Sequence, residues 1–396
     1  MKVKNVKINK KFVDKYKKGY PLILKKALLE EVVLEEGNVI KLLDERNKFI
    51  ALAYYGIQNK GIGWILSLNE KEIIDFKFFE KKILSAIKFR ENYYNSSITN
   101  AFRVFNGEGD GIGGFTIDYF DGYYLINWYS KGAYKYRDYV INTLKKLTNM
   151  KGIYQKKRFD NSGKFIDEDG FVLGEKSDFP LIIKENNVNF AIYLNEGAMV
   201  GVFLDQKDVR NRIKRSYSRG KTVLNTFSYT GAFSVYASIG GASKTTSVDL
   251  ANRSYAKTIE QFSINEIDYE NEDIVVMDVF DYFNYAIRNN FKFDTVILDP
   301  PSYAKSKKRK FSAAKDYKDL IKDVIKITKK GGVIVASTNC AAFDMKKFKT
   351  FVDDAFKESK SNYKILEEYK LPRDFKTLKS FPEGNYLKVL FIEKNS

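Results

Sequence analysis

Histidine is absent from this chain of 396 residues, and cysteine occurs only once, as Cys340. Without histidine the chain cannot build an imidazole-dependent triad or most metal hydrolase sites, so acid–base chemistry falls to Asp, Glu, Lys or Tyr. A single cysteine excludes an internal disulfide framework and a cysteine-based zinc site, and it fits a reducing compartment. We therefore expect no bound metal.

Long apolar runs are also missing. Residues 1–21 contain no apolar core of the length found in signal peptides, and no uncharged apolar stretch approaches the roughly eighteen residues of a membrane span. The sequence therefore predicts a cytoplasmic protein that does not associate with membranes.

The chain is instead rich in positive charge and in aromatic rings. Lys and Arg number 68 against 50 Asp and Glu, which gives a net charge of +18 at pH 7, and aromatic residues make up 15%. Basic residues interleaved with Tyr and Phe supply both phosphate contacts and stacking surfaces, as nucleic-acid binding requires. The alternative is that lysine is spread over an ordinary solvated surface.

The second half of the chain, from about Gln206 onward, alternates short apolar runs with amphipathic segments. Regular β–α alternation predicts a mostly parallel sheet with helices on both faces, and two final strands without a helix between them indicate an antiparallel hairpin. The predicted strands are 222–227, 244–250, 273–277, 293–298, 333–337 (behind a Gly-Gly stop signal), 363–371 and 386–393, and the predicted helices are 231–239, 251–264, 313–328 and 344–357.

The first half has a different pattern, and the length of the chain predicts two or three domains. Short strand-like runs at 32–34, 49–55 and 63–66 indicate a small β-rich module. A helical connector is predicted over 70–95, and strands return over 101–204, interrupted by a glycine-rich turn at 106–111 and a helix near 136–147. The connector has apolar residues at three- and four-residue steps, namely Ile73, Phe76, Phe79, Ile83 and Ile87.

The segment 299–303, DPPSY, directly follows the apolar run 295–298. Proline lacks a backbone donor and restricts the residue before it, so the chain must leave the sheet here. Ligands of open α/β sheets bind at the carboxyl ends of strands, where a rigid turn can present a carboxylate, two carbonyls and an aromatic ring. The turn resembles motif IV of methyltransferases that use S-adenosylmethionine (SAM) to modify bases or other planar nitrogen groups. A solvated turn is the alternative.

Three further positions match the needs of a SAM site. The first strand-to-helix turn, 225–231, offers a close backbone approach to the methionine end, although it is poor in glycine. Asp249 ends the second strand, where ribose-binding carboxylates lie, and Asp278 ends the third, where a partner for adenine is needed. Single acids at strand ends are commonly helix N-caps. Their order together with the DPP turn predicts a SAM site formed by Asn225, Phe227, Tyr229, Gly231, Asp249, Asp278 and Asp299.

Together, the segments 203–206, 225–234, 248–249 and 298–303 resemble the ribosomal RNA large-subunit methyltransferase I family, and 106–111 matches its middle domain. The resemblance covers nearly the whole chain. It implies a PUA-like RNA-binding domain at 1–72, a central β-rich domain with the connector helix at 73–200, and at 201–396 an α/β, Rossmann-like class I methyltransferase domain with a mixed seven-stranded sheet. It also implies that Phe203, Asp205, Gln206 and Arg210 line the cofactor pocket. The alternative for Phe203 and Leu204 is core packing.

The type member of that family makes 5-methylcytosine, which implies methylation of cytosine C5 in large-subunit (23S) ribosomal RNA by a monomer or homodimer. Cytosine C5 needs covalent activation, in which a thiolate adds to C6, C5 takes the methyl group, and the C5 proton is removed. Cys340 is the only thiol available, and Asp299 is the nearest proton acceptor. Cys340 lies about one residue later than the cysteine of the family, and its alternative role is that of a buried small hydrophobe.

Two other interpretations stay open. A base nitrogen, such as guanine N7 or adenine N6, can attack the methyl group in one in-line step without a cysteine. The segment 299–308, with the basic run 306–309 after the DPP turn, resembles a related guanine-N7 ribosomal RNA methyltransferase. A catalytically silent RNA-binding factor is the other possibility, and the intact set of strand-end acids argues against it. The residues predicted to contact RNA are Pro300, Pro301, Tyr303, Lys307, Lys308 and Arg309.

Overall fold

The computed structural model describes residues 3–58, 60–159, 170–305 and 310–395. The chain divides into two compact units, and neither is continuous in sequence. The first unit contains the residues up to Ile183, Ile192–Val200 and Arg373–Gly384, and the second contains Lys184–Ala191, Gly201–Pro372 and the residues from Asn385 onward. The division into three domains at 1–72, 73–200 and 201–396 stays a prediction.

The first unit contains two five-stranded sheets. The first sheet has the order β1-β3-β4-β5-β2 and consists of β1 (Lys4–Lys7), β2 (Leu22–Leu24), β3 (Val39–Leu43), β4 (Phe49–Tyr55) and β5 (Gly61–Ser67). The second has the order β10-β9-β8-β7-β6 and consists of β6 (Ala101–Asn106), β7 (Phe115–Phe120), β8 (Tyr123–Trp128), β9 (Gly152–Lys157) and β10 (Phe171–Gly174). The helices are α1 (Lys10–Lys17), α2 (Phe76–Phe89), α3 (Glu91–Tyr94), α4 (Lys131–Tyr134) and α5 (Arg137–Leu147), with 3-10 turns at Lys25–Ala27, Gly107–Asp110 and Pro382–Gly384.

The connector helix α2 is shorter than the sequence predicts. It begins after Asp75, whose side chain accepts a hydrogen bond from the Phe78 amide at 3.0 Å, and it ends at Phe89. Phe79 is buried where α2 packs against α5, whereas Ile73 precedes the helix and is exposed. The apolar stripe therefore predicts the buried face correctly and places the helix start too early.

Two short elements of the first unit are predicted wrongly. Residues 32–34 form no strand, and Val33 is exposed to solvent. Helix α1 forms where no helix is predicted, and its N-cap residue Asn9 accepts a hydrogen bond from the Lys11 amide at 3.0 Å. Tyr16 is its one buried residue, so the apolar periodicity of this lysine-rich segment is too weak to predict the helix.

Strands β11 (Leu181–Glu185) and β12 (Val188–Ile192) form a two-stranded sheet of their own. The second unit contains β13 (Thr222–Thr226), β14 (Lys244–Asp249), β15 (Asp273–Val276), β16 (Phe293–Leu298), β17 (Tyr303–Lys305), β18 (Lys310–Ser312), β19 (Thr328–Thr338), β20 (Tyr363–Tyr369) and β21 (Lys388–Lys394). Its helices are α6 (Lys207–Ser216), α7 (Ala232–Ile239), α8 (Arg253–Ser263), α9 (Val279–Arg288), α10 (Ala313–Ile327) and α11 (Met345–Glu358), with 3-10 turns at Leu204–Gln206 and Tyr269–Asn271.

The main sheet of the second unit has seven strands in the order β15-β14-β13-β16-β19-β21-β20. The first five are parallel, and β21 pairs antiparallel with both β19 and β20, so the predicted mixed α/β sheet with a terminal hairpin is confirmed. Thr226 pairs with both Val248 and Leu298, and Leu298 pairs with Ala336. These four strands therefore end at one edge of the sheet, where their following turns lie side by side.

The second unit differs from the sequence prediction in several details, since helix α6 and the short strands β17 and β18 form where no element is predicted. Helix α9 follows β15, where no helix is predicted. Strand β19 begins at Thr328, so Gly331 and Gly332 lie inside the strand and do not stop a preceding helix. Helix α10 ends at Ile327, before the glycines, because the backbone becomes extended at Thr328 and continues as β19. Across the described ranges, no helix has the length and apolar character needed to cross a membrane.

Candidate active site

The turn between β13 and α7 has an unusual backbone. Phe227, Tyr229 and Gly231 all have left-handed geometry, with φ of 55°, 53° and 76°. Residues other than glycine rarely adopt this backbone geometry, because it is sterically strained. Such backbone strain is found mostly at functional turns. A Cβ atom at Gly231 would lie 2.6 Å from Thr258 Cγ2, so glycine is required both by φ and by the close approach of α8.

Asp249 connects this turn to the next one along the sheet edge. Its Oδ2 accepts a hydrogen bond from the Tyr229 amide at 2.9 Å, and its Oδ1 accepts one from the Ala251 amide at 2.9 Å. Each carboxylate oxygen can accept a second hydrogen bond, so the group retains acceptor capacity for a ligand. The next residue, Leu250, is exposed and offers apolar surface beside the carboxylate.

Asp278 caps helix α9. Its Oδ1 accepts a hydrogen bond from the Phe280 amide at 2.9 Å, which is the N-cap role that the sequence offered as an alternative. In the part of the chain that the structure describes, its Oδ2 makes no hydrogen bond. Capping therefore uses one oxygen of the carboxylate and leaves the other available.

Asp299 follows β16 and contacts two polar side chains. Its Oδ2 accepts a hydrogen bond from Gln206 Nε2 at 3.1 Å, and the same Nε2 lies 2.8 Å from Ser337 Oγ. Burial raises the pKa of Asp299 to about 6, and the nearby Asp205 carboxylate also raises it, whereas the hydrogen bonds from Ser337 and Gln206 lower it. The carboxylate is therefore mostly ionised at neutral pH but held at an energetic cost.

Two buried amide oxygens at this edge make no hydrogen bond within the described ranges, namely Gln206 Oε1 and Asn225 Oδ1. The amide nitrogen of Asn225 donates to Ser234 Oγ at 3.0 Å, so its side chain lies beneath the first turn. Buried acceptors without partners are rare and costly. A ligand rich in hydroxyl and ammonium groups, as SAM is, fits a site with such oxygens.

The segment 203–206 lies beside the first turn. Phe203 is 40% exposed and its ring lies 5.4 Å from that of Tyr229, so core packing is wrong for Phe203, whereas Leu204 is buried as core packing requires. The Asp205 carboxylate accepts a hydrogen bond from Tyr386 at 2.9 Å. The segment therefore places an open aromatic surface beside Tyr229 and a carboxylate near Asp299.

Arg210 is fully buried. Its guanidinium donates to both carboxylate oxygens of Glu185, at 2.9 and 2.8 Å, and to the Phe203 carbonyl at 2.8 Å. Because these groups occupy the guanidinium, the geometry favours Arg210 as a residue that orients the 203–206 segment over one that contacts a ligand.

The DPP turn combines buried and exposed residues. Pro300 is buried, Pro301 is exposed, and Tyr303 is 61% exposed at the start of β17. Ser302 Oγ donates to Asn339 Oδ1 at 2.6 Å, which links the turns after β16 and β19. The predicted RNA-contacting residues Lys307, Lys308 and Arg309 lie outside the described residues.

Cys340 lies two residues beyond the end of β19 and is only 8% exposed. It belongs to the hydrophobic core cluster of the second unit, and its amide donates to Thr338 Oγ1 at 3.2 Å. The preceding residue, Asn339, is the exposed one. Lys388, buried and opposite Thr338 in the sheet, has its pKa lowered by burial, while the Cys340 and Asp344 side chains raise it.

Sequence reasoning missed two residues of this edge. Ser337 hydrogen bonds with Gln206, and Tyr317 OH donates to the carbonyls of Ser337 at 2.6 Å and Leu298 at 3.1 Å. Ser337 could have been found, because the strand next to the DPP strand ends at the same edge. Tyr317 sits in the middle of a helix, and no sequence signal indicates its role. Within the described ranges, no group of three or more His, Cys, Asp or Glu residues could hold a metal ion.

Two family profiles match the chain. Residues 109–389 match the S-adenosylmethionine-dependent methyltransferase profile, and residues 6–68 match a PUA-like domain. Among relatives, Bacillus subtilis (strain 168) YwbD is named as a ribosomal RNA large subunit methyltransferase, and it is 56% identical over 99% of this chain and 100% of its own. Ribosomal RNA large subunit methyltransferase I of Pseudoalteromonas translucida is 30% identical over 90% of each chain.

Solved structures give the same result. The crystal structure of SMU.776, described as a methyltransferase complexed with SAH, superposes with a TM-score of 0.92 at 37% identity and covers 99% of this chain and 100% of that one. A SAM-dependent methyltransferase structure from Streptococcus mutans gives a TM-score of 0.90 at 36% identity, with the same coverage.

Proposed function

Because the chain belongs to the S-adenosylmethionine-dependent methyltransferase family, and within it to the ribosomal RNA large-subunit methyltransferase I group, we propose that it methylates a base of large-subunit ribosomal RNA. The names of both relatives, the PUA-like match and the net charge of +18 support RNA as the substrate. The observation that carries the proposal is the meeting of Asp249, Asp299 and the left-handed turn at one sheet edge. An enzyme, not a silent RNA-binding factor, follows from family membership.

The residues at this edge suit SAM, which supplies an electrophilic methyl group when bound. In our proposal, the Asp249 carboxylate accepts hydrogen bonds from the ribose hydroxyls, and Asp278 Oδ2 accepts one from the adenine amino group. Asp299 and the free Gln206 Oε1 hold the cationic methionine end. The exposed ring of Phe203, packed on Tyr229, shields this end from water.

The burial of Cys340 favours a reaction that needs no thiol. A nucleophilic thiol must reach C6 of cytosine, but this side chain packs into the hydrophobic core while Asn339 faces solvent. Direct transfer to a base nitrogen needs no thiol. Tyr303, the Pro300 carbonyl and Asp299 then position the base, and the nitrogen lone pair forms the new bond. At adenine N6 the amino proton must also leave, and Asp299 is its acceptor; at guanine N7 no proton is lost.

Cytosine C5 methylation is the second candidate, and the proximity of Lys388 to Cys340 favours it. A buried ammonium stabilises a thiolate. In this reaction the sulfur bonds to C6, C5 takes the methyl group, and the C5 proton passes to Asp299 or water as the S–C6 bond breaks. The thiol would first have to leave its core packing.

The test is nucleoside mass spectrometry of ribosomal RNA from cells with and without the gene, with an Asp299→Asn allele as the inactive control. We expect one methylated base to disappear from large-subunit RNA in the deletion strain and to return only with the wild-type gene. Its identity as a nitrogen-methylated purine or as 5-methylcytosine decides between the two reactions. An unchanged nucleoside profile would contradict the proposal.

A further inference from the structure

An exposed aromatic ring in the first unit is surrounded by cations. Phe89, the last residue of α2, is 37% exposed. The guanidinium of Arg90 lies 5.0 Å from its ring centroid, that of Arg373 lies 5.7 Å away, and the Lys376 ammonium lies 5.3 Å away. Arg90 is fully buried and forms a two-pronged ion pair with Asp110, so Arg373 and Lys376 are the cations that solvent reaches.

The backbone that carries these two cations is fixed by buried and partly buried hydrogen bonds. Arg90 donates to the Asp374 carbonyl at 3.0 and 2.6 Å, and Asn106 Nδ2 donates to the Lys376 carbonyl at 2.9 Å. A Cβ atom at Gly109 would lie 1.7 Å from that same Lys376 carbonyl oxygen, so the backbones touch here. The cations therefore sit on a rigid support, which lowers the entropy lost on binding.

The charges around Phe89 do not cancel. Lys82, two turns before Phe89 on α2, has its pKa lowered by burial and also by the nearby Lys81 and Lys376, while Glu72 raises it. Asp110 lies 3.8 Å from Lys376, but the Arg90 guanidinium already neutralises it at 2.7 Å. Like charges held together in this way favour an anionic partner.

We propose that Phe89, Arg373 and Lys376 form a second RNA-binding surface, in which the cations contact phosphates and an unstacked base packs on the ring. A solvent-facing aromatic ring flanked by fixed cations is the arrangement that single-stranded RNA recognition uses. This surface belongs to the first unit and lies outside the SAM-binding edge. The identification of the partner as RNA, and not as an acidic protein, rests on the proposed function.

The test measures RNA affinity by fluorescence anisotropy, using a labelled single strand of about 20 nucleotides, longer than one binding footprint, and protein-free large-subunit ribosomal RNA. We expect Arg373→Ala/Lys376→Ala to weaken binding and to lower the salt slope by about 0.7 per lost phosphate contact. Phe89→Leu should weaken binding at least fivefold and leave the slope unchanged. Lys357→Ala/Lys364→Ala removes the same charge from exposed positions of the second unit and is the control.

Calorimetric SAM binding, unchanged in every variant, checks that the fold is intact. Affinity and salt slope equal to those of the control on both RNAs would overturn the surface as an RNA-binding site and would leave an acidic protein as its partner. If the wild type transfers no methyl group to RNA while the Phe89 and Arg373/Lys376 variants still lose RNA affinity, the proposed function fails and the surface stands.

Discussion

Gln206 Nε2 lies 3.1 Å from Asp299 Oδ2 and 2.8 Å from Ser337 Oγ, so one buried amide joins the start of α6 to the ends of two adjacent strands. The amide nitrogen donates to these two groups, whereas the amide oxygen, Gln206 Oε1, has no hydrogen-bond partner in the described part of the chain. The site thus pairs a carboxylate of raised pKa with a bare acceptor, an arrangement suited to a cationic ligand.

Asp299 makes SAM affinity depend on pH. Its pKa is raised to about 6, chiefly by burial, and only the ionised form attracts a cation. We expect the SAM dissociation constant, measured by calorimetry, to be flat above about pH 7 and to rise by up to about tenfold per pH unit below pH 6. Asp299→Asn should bind more weakly with no inflection. A wild-type profile without an inflection between pH 5 and 7 would contradict this role.

The same raised pKa has a consequence for stability. A carboxyl group whose folded pKa exceeds its unfolded value of 3.8 stabilises the fold at low pH, and this contribution is lost as the pH rises to about 6. Above pH 6 the ligand-free protein therefore carries a cost of at most roughly 3 kcal/mol. Urea unfolding at pH 7.5 without SAM should find Asp299→Asn more stable than the wild type, and saturating SAM should reduce or reverse that difference.

Asp249 is expected to hold the ribose. Removing a charged hydrogen-bond acceptor costs roughly 1.5 to 3 kcal/mol, so Asp249→Ala should weaken SAM binding at least tenfold. Part of the loss will come from the first turn, because Asp249 also accepts from the Tyr229 amide. Asp268→Ala is the matched control, since Asp268 likewise accepts a backbone hydrogen bond, from Glu270, in an exposed turn. Equal affinities in the two variants would remove the assignment.

Much of the second unit follows from its sequence. The strand Phe293–Leu298 has the predicted bounds, and the other predicted strands of the sheet are found near their predicted positions along the chain, because buried parallel strands are short apolar runs with clear ends. Helix α9 is not predicted, because the position of Asp278 at a strand end indicates a ligand-binding carboxylate, whereas the same residue also caps the helix. Likewise the segment 32–34 has strand composition but no partner strand, and pairing is not visible in one sequence.

The site is less predictable than the fold. Strand-end acids are identified from order alone, but which oxygen is occupied depends on three-dimensional contacts such as Tyr229 N to Asp249. The family resemblance predicts Arg210 as a residue of the cofactor pocket. In the structure its guanidinium forms an ion pair with Glu185, which lies 25 residues away in the sequence and which no sequence pattern connects to it. For Cys340, one residue of offset in a loop decides between core and solvent, and periodicity gives no information there.

Gly231 is expected to tolerate no side chain. Alanine at φ of 76° is strained by about 1 to 3 kcal/mol, and its Cβ would meet Thr258 Cγ2 at 2.6 Å. Gly220→Ala is the control, because Gly220 has φ of 67° but nothing within 4 Å of an added Cβ. In denaturant unfolding, Gly231→Ala should lose about 1 to 3 kcal/mol more than the control. Combining Gly231→Ala with Thr258→Ala should remove this extra loss of unfolding free energy, because the clashing methyl group is then absent. Strictly additive losses in the double variant would contradict the clash.

Cys340 gives the decisive experiment on the reaction. Its thiol is only 8% exposed and lies in the core cluster, so we expect Cys340→Ala to retain methyl transfer within about threefold, less than the tenfold that corresponds to about 1.4 kcal/mol. RNA substituted with 5-fluorocytidine should then form no SDS-stable adduct with the wild type, because no sulfur–C6 bond is made. Cys340→Ser places a hydroxyl in the same apolar site and should be the less stable variant, with activity unchanged below its melting temperature.

The contrary outcome is equally specific. If Cys340→Ala abolishes turnover while its melting temperature and SAM affinity match the wild type, and the fluorinated RNA traps the protein, the covalent route to 5-methylcytosine is the reaction. Lys388→Met then serves as a further check, because the buried ammonium beside the thiol would be needed to stabilise its thiolate. In that case Lys388→Met should slow adduct formation. A direct transfer to nitrogen predicts that Lys388→Met changes stability and leaves the rate on RNA unaffected.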